Sequence, residues 1–75
     1  MTETTALEIV AVELGKAKGK HYYFPENPVE ALSIIMEEVG ELAAAINDKE
    51  SKMRQIEEAA HIAVTAIRFI EGMLK

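Results

Sequence analysis

Apolar residues recur along this chain at the three- and four-residue spacing of helices, in three blocks separated by two polar breaks. In the first block Leu7, Val10, Ala11 and Leu14 follow the i, i+3, i+4, i+7 pattern, which predicts one buried stripe on a helix from about Thr4 to Lys18. Lys16, Lys18 and Lys20 gather where cations complement a helix C-terminus, and Gly19 offers a stop. The segment "GKHYYFPENP", residues 19–28, then connects to the second block. Asn27 suits an N-cap, Pro28 suits the first helical position, and Glu30 follows the cap by three residues as in a capping box. A second helix is therefore expected from about residue 28 to 47, where "NDKES" breaks the pattern and supplies Asp48 or Ser51 as the next cap. The third helix spans about 51–74, and the short connection folds helices two and three into an antiparallel hairpin. The fold expected is all-α, one helical domain over residues 1–75.

The phase of each stripe comes from a helical wheel. On helix two Leu32, Ile35, Met36, Val39, Leu42, Ala43 and Ile46 fall within about 60° of Val39, which predicts a core stripe. Helix three has its counterpart in Ile56, Ala59, Ala60, Ala63, Ala66, Ile67 and Ile70. Each helix also carries a second, mixed sector. Ile34 and Ala45 share theirs with Glu38 and Glu41, while Glu58, His61 and Thr65 form a polar line bordered by Ile62 and Phe69. Residues three apart project from adjacent turns, so Glu38 stands beside Glu41 and Glu58 beside His61. An acidic sector on a helix is ordinarily its solvated face, and a single histidine is ordinarily a surface residue. If the two lines face each other, however, three carboxylates and an imidazole converge, and a divalent metal is the simplest group that relieves their repulsion.

Size and charge narrow the function. A chain of 75 residues buries a modest share of its surface, and with no cysteine it has no disulfide to compensate. Self-association, as a homodimer or homotetramer, is the remaining support, and it is expected to bury Ile34, Ala45, Ile62 and Phe69. A net charge of −5 and a pI near 4.9 argue against nucleic acid and anionic membranes as partners. The apolar runs fall short of the roughly 18 to 20 residues of a membrane span. Met1 to Thr5 is polar and acidic without a basic leader, so a soluble, cytoplasmic protein is expected.

The residues "EEVGEL" (37–42) followed by "EEAAH" (57–61), with the lead-in "FPENPVEALSIIMEEVGELAAAIND", resemble the MazG-like family of all-α nucleoside triphosphate pyrophosphatases. The resemblance covers about residues 20–71, and its first half is the more specific. That family pairs E-x-x-E with E-x-x-D to bind Mg²⁺, which holds a triphosphate while water releases a monophosphate and pyrophosphate. The resemblance implies Glu38 and Glu41 as the first metal-binding pair, Glu58 as the first member of the second, and Glu37 as an acid beside the metal that orients water. Glu37 and Glu38 are thus the implied catalytic residues, and Glu38, Glu41, Glu58 and His61 the implied metal set.

His61 departs from the family, which has Asp there. Mg²⁺ takes oxygen ligands and is poorly served by imidazole, whereas Mn²⁺ accepts nitrogen. Three roles stand open for His61: ligand to Mn²⁺ or a similar metal, a group behind the ligands or facing phosphate, or a mark of lost catalysis. A triphosphate also needs cations. Lys49, Lys52 and Arg54 at the hairpin end and Lys16, Lys18 and Lys20 near the first loop are candidates, each with a plain surface role as the alternative, and Arg68, two turns after His61, could reach a phosphate or pair with Glu71 or Glu57. Tyr22 and Tyr23 are the aromatic candidates for contacting a base, against a role in capping the helical core. The expected function is metal-dependent nucleotide pyrophosphohydrolysis; the alternative is a non-catalytic helical module that binds a nucleotide or a protein.

Overall fold

A computed structural model describes residues 4–75; residues 1–3, most of the polar start discussed above, lie outside the described residues. Three helices make up the chain: α1, Ala6–Lys20; α2, Pro28–Asn47; and α3, Lys52–Met73. Among the described residues there is no strand, and the all-α expectation holds.

Each start is set by a cap. The Thr5 hydroxyl accepts from the Glu8 amide at 3.1 Å while the Glu8 carboxylate accepts from the Thr5 amide at 3.0 Å, so the reciprocal capping box falls on α1. Asn27 caps α2 by accepting from the Val29 and Glu30 amides, with Pro28 at the first helical position. Ser51, rather than Asp48, caps α3 by accepting from the Arg54 amide at 3.2 Å. Gly19 does not stop α1; the helix runs on to Lys20, and the His21 amide donates to the Ala17 carbonyl at 2.7 Å. The end of α2 is tighter. Lys49 adopts φ 54°, the Glu50 amide donates back to the Ala45 carbonyl and the Lys49 amide to that of Ile46, the two bonds of a Schellman turn.

Helix α3 is the central element. Both α1 and α2 pack on it, and among the described residues α1 and α2 do not pack on each other. The molecule is accordingly thin, with principal extents of 37 × 32 × 18 Å. The side-chain faces differ from the wheel reading in phase. On α2 the line that meets α3 is Ala31, Ile34, Ile35, Glu38, Leu42 and Ala45, with both alanines buried. Ala31, Glu38 and Ala45 are seven residues apart, two helical turns each, so they share one line along α2 and the two alanines let the helix approach closely. Of the stripe expected in the core, Ile35 and Leu42 face inward, whereas Leu32, Met36, Val39, Ala43 and Ile46 are turned outward and exposed. On α3 Ile56, Ala59 and Ile70 are exposed while Ala60 and Val64 are buried.

The residues expected to lie in an oligomer interface, Ile34, Ala45, Ile62 and Phe69, are therefore buried or half-buried within the chain itself. The same shift affects α1. Its inward line is Ile9, Val10, Glu13, Leu14 and Ala17, while Leu7 and Ala11 are exposed. On α2 the physical reason is close approach: a wheel finds the most apolar stripe, whereas contact with α3 selects the line that carries Ala31 and Ala45 together with Ile34, Ile35 and Leu42, and Leu32, Met36, Val39 and Ile46 stay outside.

This phase assignment separates two neighbouring alanines. Ala45→Leu places a larger side chain in a contact with 1% exposure and is expected to destabilise the fold by about 1–3 kcal/mol. Ala44→Leu, exposed and off both the inward line and the outward apolar stripe, should change stability by no more than about 0.5 kcal/mol. Urea unfolding of the two variants decides it, and equal costs would overturn this phase.

Candidate functional site

The gap between α1 and α2, floored by α3, forms a groove of about 790 Å³. Glu13, Lys16 and Lys20 of α1 line one wall, and Ile34, Glu37 and Glu38 of α2 the other. His61, Val64, Thr65 and Arg68 form the floor, and Tyr23, Phe24 and Pro25 close one end. Thr65 is buried without cost to its hydroxyl, which donates to the His61 and Ile62 carbonyls of its own helix.

At the floor and far wall Glu38, Glu58 and His61 offer ligand atoms that all lie within 4.8 Å of one another. The His61 Nδ1 is 3.7 Å from a Glu38 oxygen and 3.9 Å from Glu58 Oε1. A point central to three such atoms lies about 2.8 Å or less from each, close to the roughly 2.0–2.6 Å of bound divalent cations. The group is therefore able to hold a metal ion with small side-chain adjustments. Its electrostatics agree. Glu58 is 97% buried and Glu38 largely so, and each has one oxygen, Oε2, buried with no hydrogen-bond partner. A carboxylate oxygen desolvated without a donor is costly, and a cation held at this place would offset that cost for Glu38, whose Oε2 faces His61.

Protein cations relieve part of this charge. Arg54 places its guanidinium 2.8 Å from Glu58 Oε1 and also contacts Glu50 and Glu57 at 3.5 Å. Glu58 first, with Glu57 and Glu50 adding, raises the Arg54 pKa above its ordinary value against a smaller opposing effect of burial. The Glu58 Oε2 remains free of this pairing.

The expected site residues divide. Glu38, Glu58 and His61 come together, Glu37 lines the groove beside them, and Lys20, Tyr23 and Arg68 line it further along. Glu41 is not drawn into the group. It sits about 60° round α2 from Glu38, and close packing on the Ala31–Glu38–Ala45 line leaves it exposed. Tyr22 is 92% exposed and does not line the groove. Lys52 lies on a different surface, beside Leu42, Gln55, Ile56 and Ala59. Arg54 is engaged with the three glutamates, and Arg68 is committed to structure: it is buried, donates to the His21 carbonyl at 2.6 Å, and lies 5.1 Å from the Phe24 ring centroid. That contact anchors the loop that ends the groove. Phe24 is thereby occupied, and Tyr23 is the aromatic face left to a ligand.

Sequence reasoning passed over Glu13. Glu13 Oε1 is 3.6 Å from His61 Nε2, and its other oxygen is 3.4 Å from Lys16. The available signal was a glutamate inside an apolar helical line, between Ile9, Val10 and Leu14, Ala17. Comparison of the chain with protein-family models, with curated proteins and with solved structures gives no match.

A metal held by this group stabilises the folded state by mass action, by roughly 2.7 kcal/mol at a hundred times the dissociation constant. Glu38→Gln should abolish the rise in Tm produced by Mn²⁺ or Mg²⁺ while preserving or raising the metal-free Tm, because it removes an unpartnered charge. Glu41→Gln should leave the metal-induced rise intact. Thermal melts with and without each metal make the comparison, and loss of the rise in Glu41→Gln alone would move the centre along α2.

Proposed function

We propose that this protein is a divalent-metal-dependent nucleotide pyrophosphohydrolase of the MazG-like kind, which hydrolyses a nucleoside triphosphate to the monophosphate and pyrophosphate. The observation that carries the proposal is that Glu38 and His61, which with the buried Glu58 form a group able to hold a metal, line a groove that also presents cations and an aromatic side chain. The group would hold Mg²⁺ or Mn²⁺, and such an ion, when bound, neutralises phosphate oxygens and polarises the phosphorus. Lys16 and Lys20 on the α1 wall add positive charge for the remaining phosphates, and Tyr23 offers a face for the base. Glu37 is exposed to the groove next to Glu38 and is the carboxylate free to accept a proton from water. Water oxygen bonds to phosphorus, the bond to the pyrophosphate oxygen breaks, and the water proton passes to Glu37.

A second reading, a non-catalytic module that binds a nucleotide or protein, draws on two features. Arg54 already pairs with Glu58, and His61 stands where the family pattern has Asp. Pyrophosphate release from a panel of nucleoside triphosphates, with and without Mg²⁺ or Mn²⁺, separates the readings. Hydrolysis should require metal, and Glu37→Gln should lower kcat by about 10²- to 10⁴-fold while leaving the metal-induced rise in Tm in place. A nucleotide that raises Tm in wild type without any pyrophosphate release would favour the binding module.

The assembly we propose is a homo-oligomer, paired through the outward face of the hairpin. Among the described residues the buried apolar ones are only Ala31, Ala45, Ala60 and Val64, and no large side chain is fully enclosed. Leu32, Met36, Val39, Ile46, Ile56 and Ile70 are exposed, each at 39% or more. Leu42, Ile56 and Ala59 line one shallow depression, so the stripes of α2 and α3 adjoin there. A second copy is an occupant of matching apolar character, and its docking supplies the core that one chain lacks. Light scattering at micromolar concentration should give a dimeric or larger mass, and Val39→Glu should lower it to the monomer. A monomeric wild-type mass would overturn this assembly.

A further inference from the structure

The two ring nitrogens of His61 point to carboxylates on different helices. Nδ1 faces Glu38 of α2 and Glu58 of its own helix, at 3.7 and 3.9 Å, while Nε2 faces Glu13 Oε1 of α1 at 3.6 Å. A neutral imidazole carries its proton on one nitrogen and its lone pair on the other, and only the lone pair ligates. With Glu38 and Glu58 engaged by a cation, Glu13 is the carboxylate left to hold the proton, which favours Nε2–H and frees the Nδ1 lone pair for the ion. Glu13 is well placed for this. Its side chain is 11% exposed on the inward line of α1, and Lys16 contacts its other oxygen at 3.4 Å. The Glu38 oxygen 3.7 Å from Nδ1 is Oε2, which is buried without a hydrogen-bond partner, and Glu58, 97% buried, likewise leaves its Oε2 unpartnered, an independent sign that a cation belongs in this group.

We infer that Glu13 is a positioning residue which holds His61 with Nδ1 toward Glu38 and Glu58, making a centre built from all three helices that prefers nitrogen-accepting divalent metals such as Mn²⁺ to Mg²⁺. This inference rests on the metal-centre reading above. Glu13 acts through His61 rather than on the ion, so its removal acts on the nitrogen ligand and leaves the carboxylates. Mg²⁺, which relies on oxygen ligands and takes little from imidazole, is nearly indifferent to it.

The test uses the full chain without nucleotide and the metals alone as probes. Titration calorimetry gives Mn²⁺ and Mg²⁺ affinities, and pulsed electron paramagnetic resonance of bound Mn²⁺ detects hyperfine coupling to an imidazole nitrogen. Wild type should bind Mn²⁺ more tightly than Mg²⁺ and show the nitrogen coupling. Glu13→Ala should weaken Mn²⁺ about 10- to 100-fold and Mg²⁺ by less than about threefold, the size expected for losing the partner of a ligating histidine. Glu13→Gln keeps an acceptor oxygen and should recover most of the Mn²⁺ affinity. Glu13→Leu, close in volume, repeats the measurement if the alanine variant does not fold. In a His61→Asp background Glu13→Ala should change Mn²⁺ affinity no more than it changes Mg²⁺ affinity, because no imidazole remains to orient. Equal weakening of both metals by Glu13→Ala in the wild-type background, or unchanged Mn²⁺ affinity and nitrogen coupling, would overturn the role of Glu13 while leaving a metal centre standing. Wild type that binds neither metal would overturn the centre itself.

Discussion

Glu58 sits in the middle of α3 with its carboxylate withdrawn from water, one oxygen held by Arg54 and the other without a donor. Burying a carboxylate costs several kcal/mol even after a partner is supplied, so its surroundings have to answer for it. Arg54, one turn earlier on the same helix, supplies the first answer, and Glu50 and Glu57 hold that guanidinium in place. His61, one turn later, stands 3.9 Å from the same oxygen. The approach of α2 through Ala31 and Ala45 then delivers Glu38 to the imidazole, and α1 delivers Glu13 to its far edge. The packing of both outer helices on α3 is thus also the assembly of an acidic, largely dehydrated pocket. Within it Glu38 and Glu58 each keep one buried oxygen without a hydrogen-bond partner.

The hairpin has two unlike faces, and they divide the work of the chain. The inner one joins α1, α2 and α3 around polar groups with alanine and valine at the closest contacts. The outer one carries the larger aliphatic side chains, unpaired within the chain. In a larger protein these roles are usually reversed, with bulky residues inside and charges outside. Here the site lies in the interior of the chain, and the apolar surface that a small domain needs for stability is displaced to its exterior.

Much of the fold was legible in the sequence because helix ends are local. Asn27 with Pro28, and Ser51, mark their helices through hydrogen bonds that span three residues or fewer. The pairing of Glu38 with Glu58 and His61 was legible for a related reason: two polar lines on helices joined by a short turn have few ways to avoid one another. The phase of the apolar stripes was not legible. Periodicity identifies the greasiest line on a helix, but whether Val39 or Ala45 meets the same chain depends on how closely two backbones approach. Glu41 was misleading for this reason, since a rotation of about 60° separates a groove from open solvent. Glu13 was out of reach because its partner lies far along the chain on α3, and no local pattern connects them.

Helix α1 is attached along one side only, to α3, with an ion pair between Lys18 and Glu71 at 2.9 Å near its end and the Arg68 anchor on the loop that follows. A segment held by one interface and few apolar contacts opens at lower free energy than the hairpin it rests on. Opening of α1 carries Glu13, Lys16 and Lys20 away from the groove and leaves the α2–α3 hairpin closed. The helix is then a hinged wall. Its amides should exchange with solvent faster than those of α3.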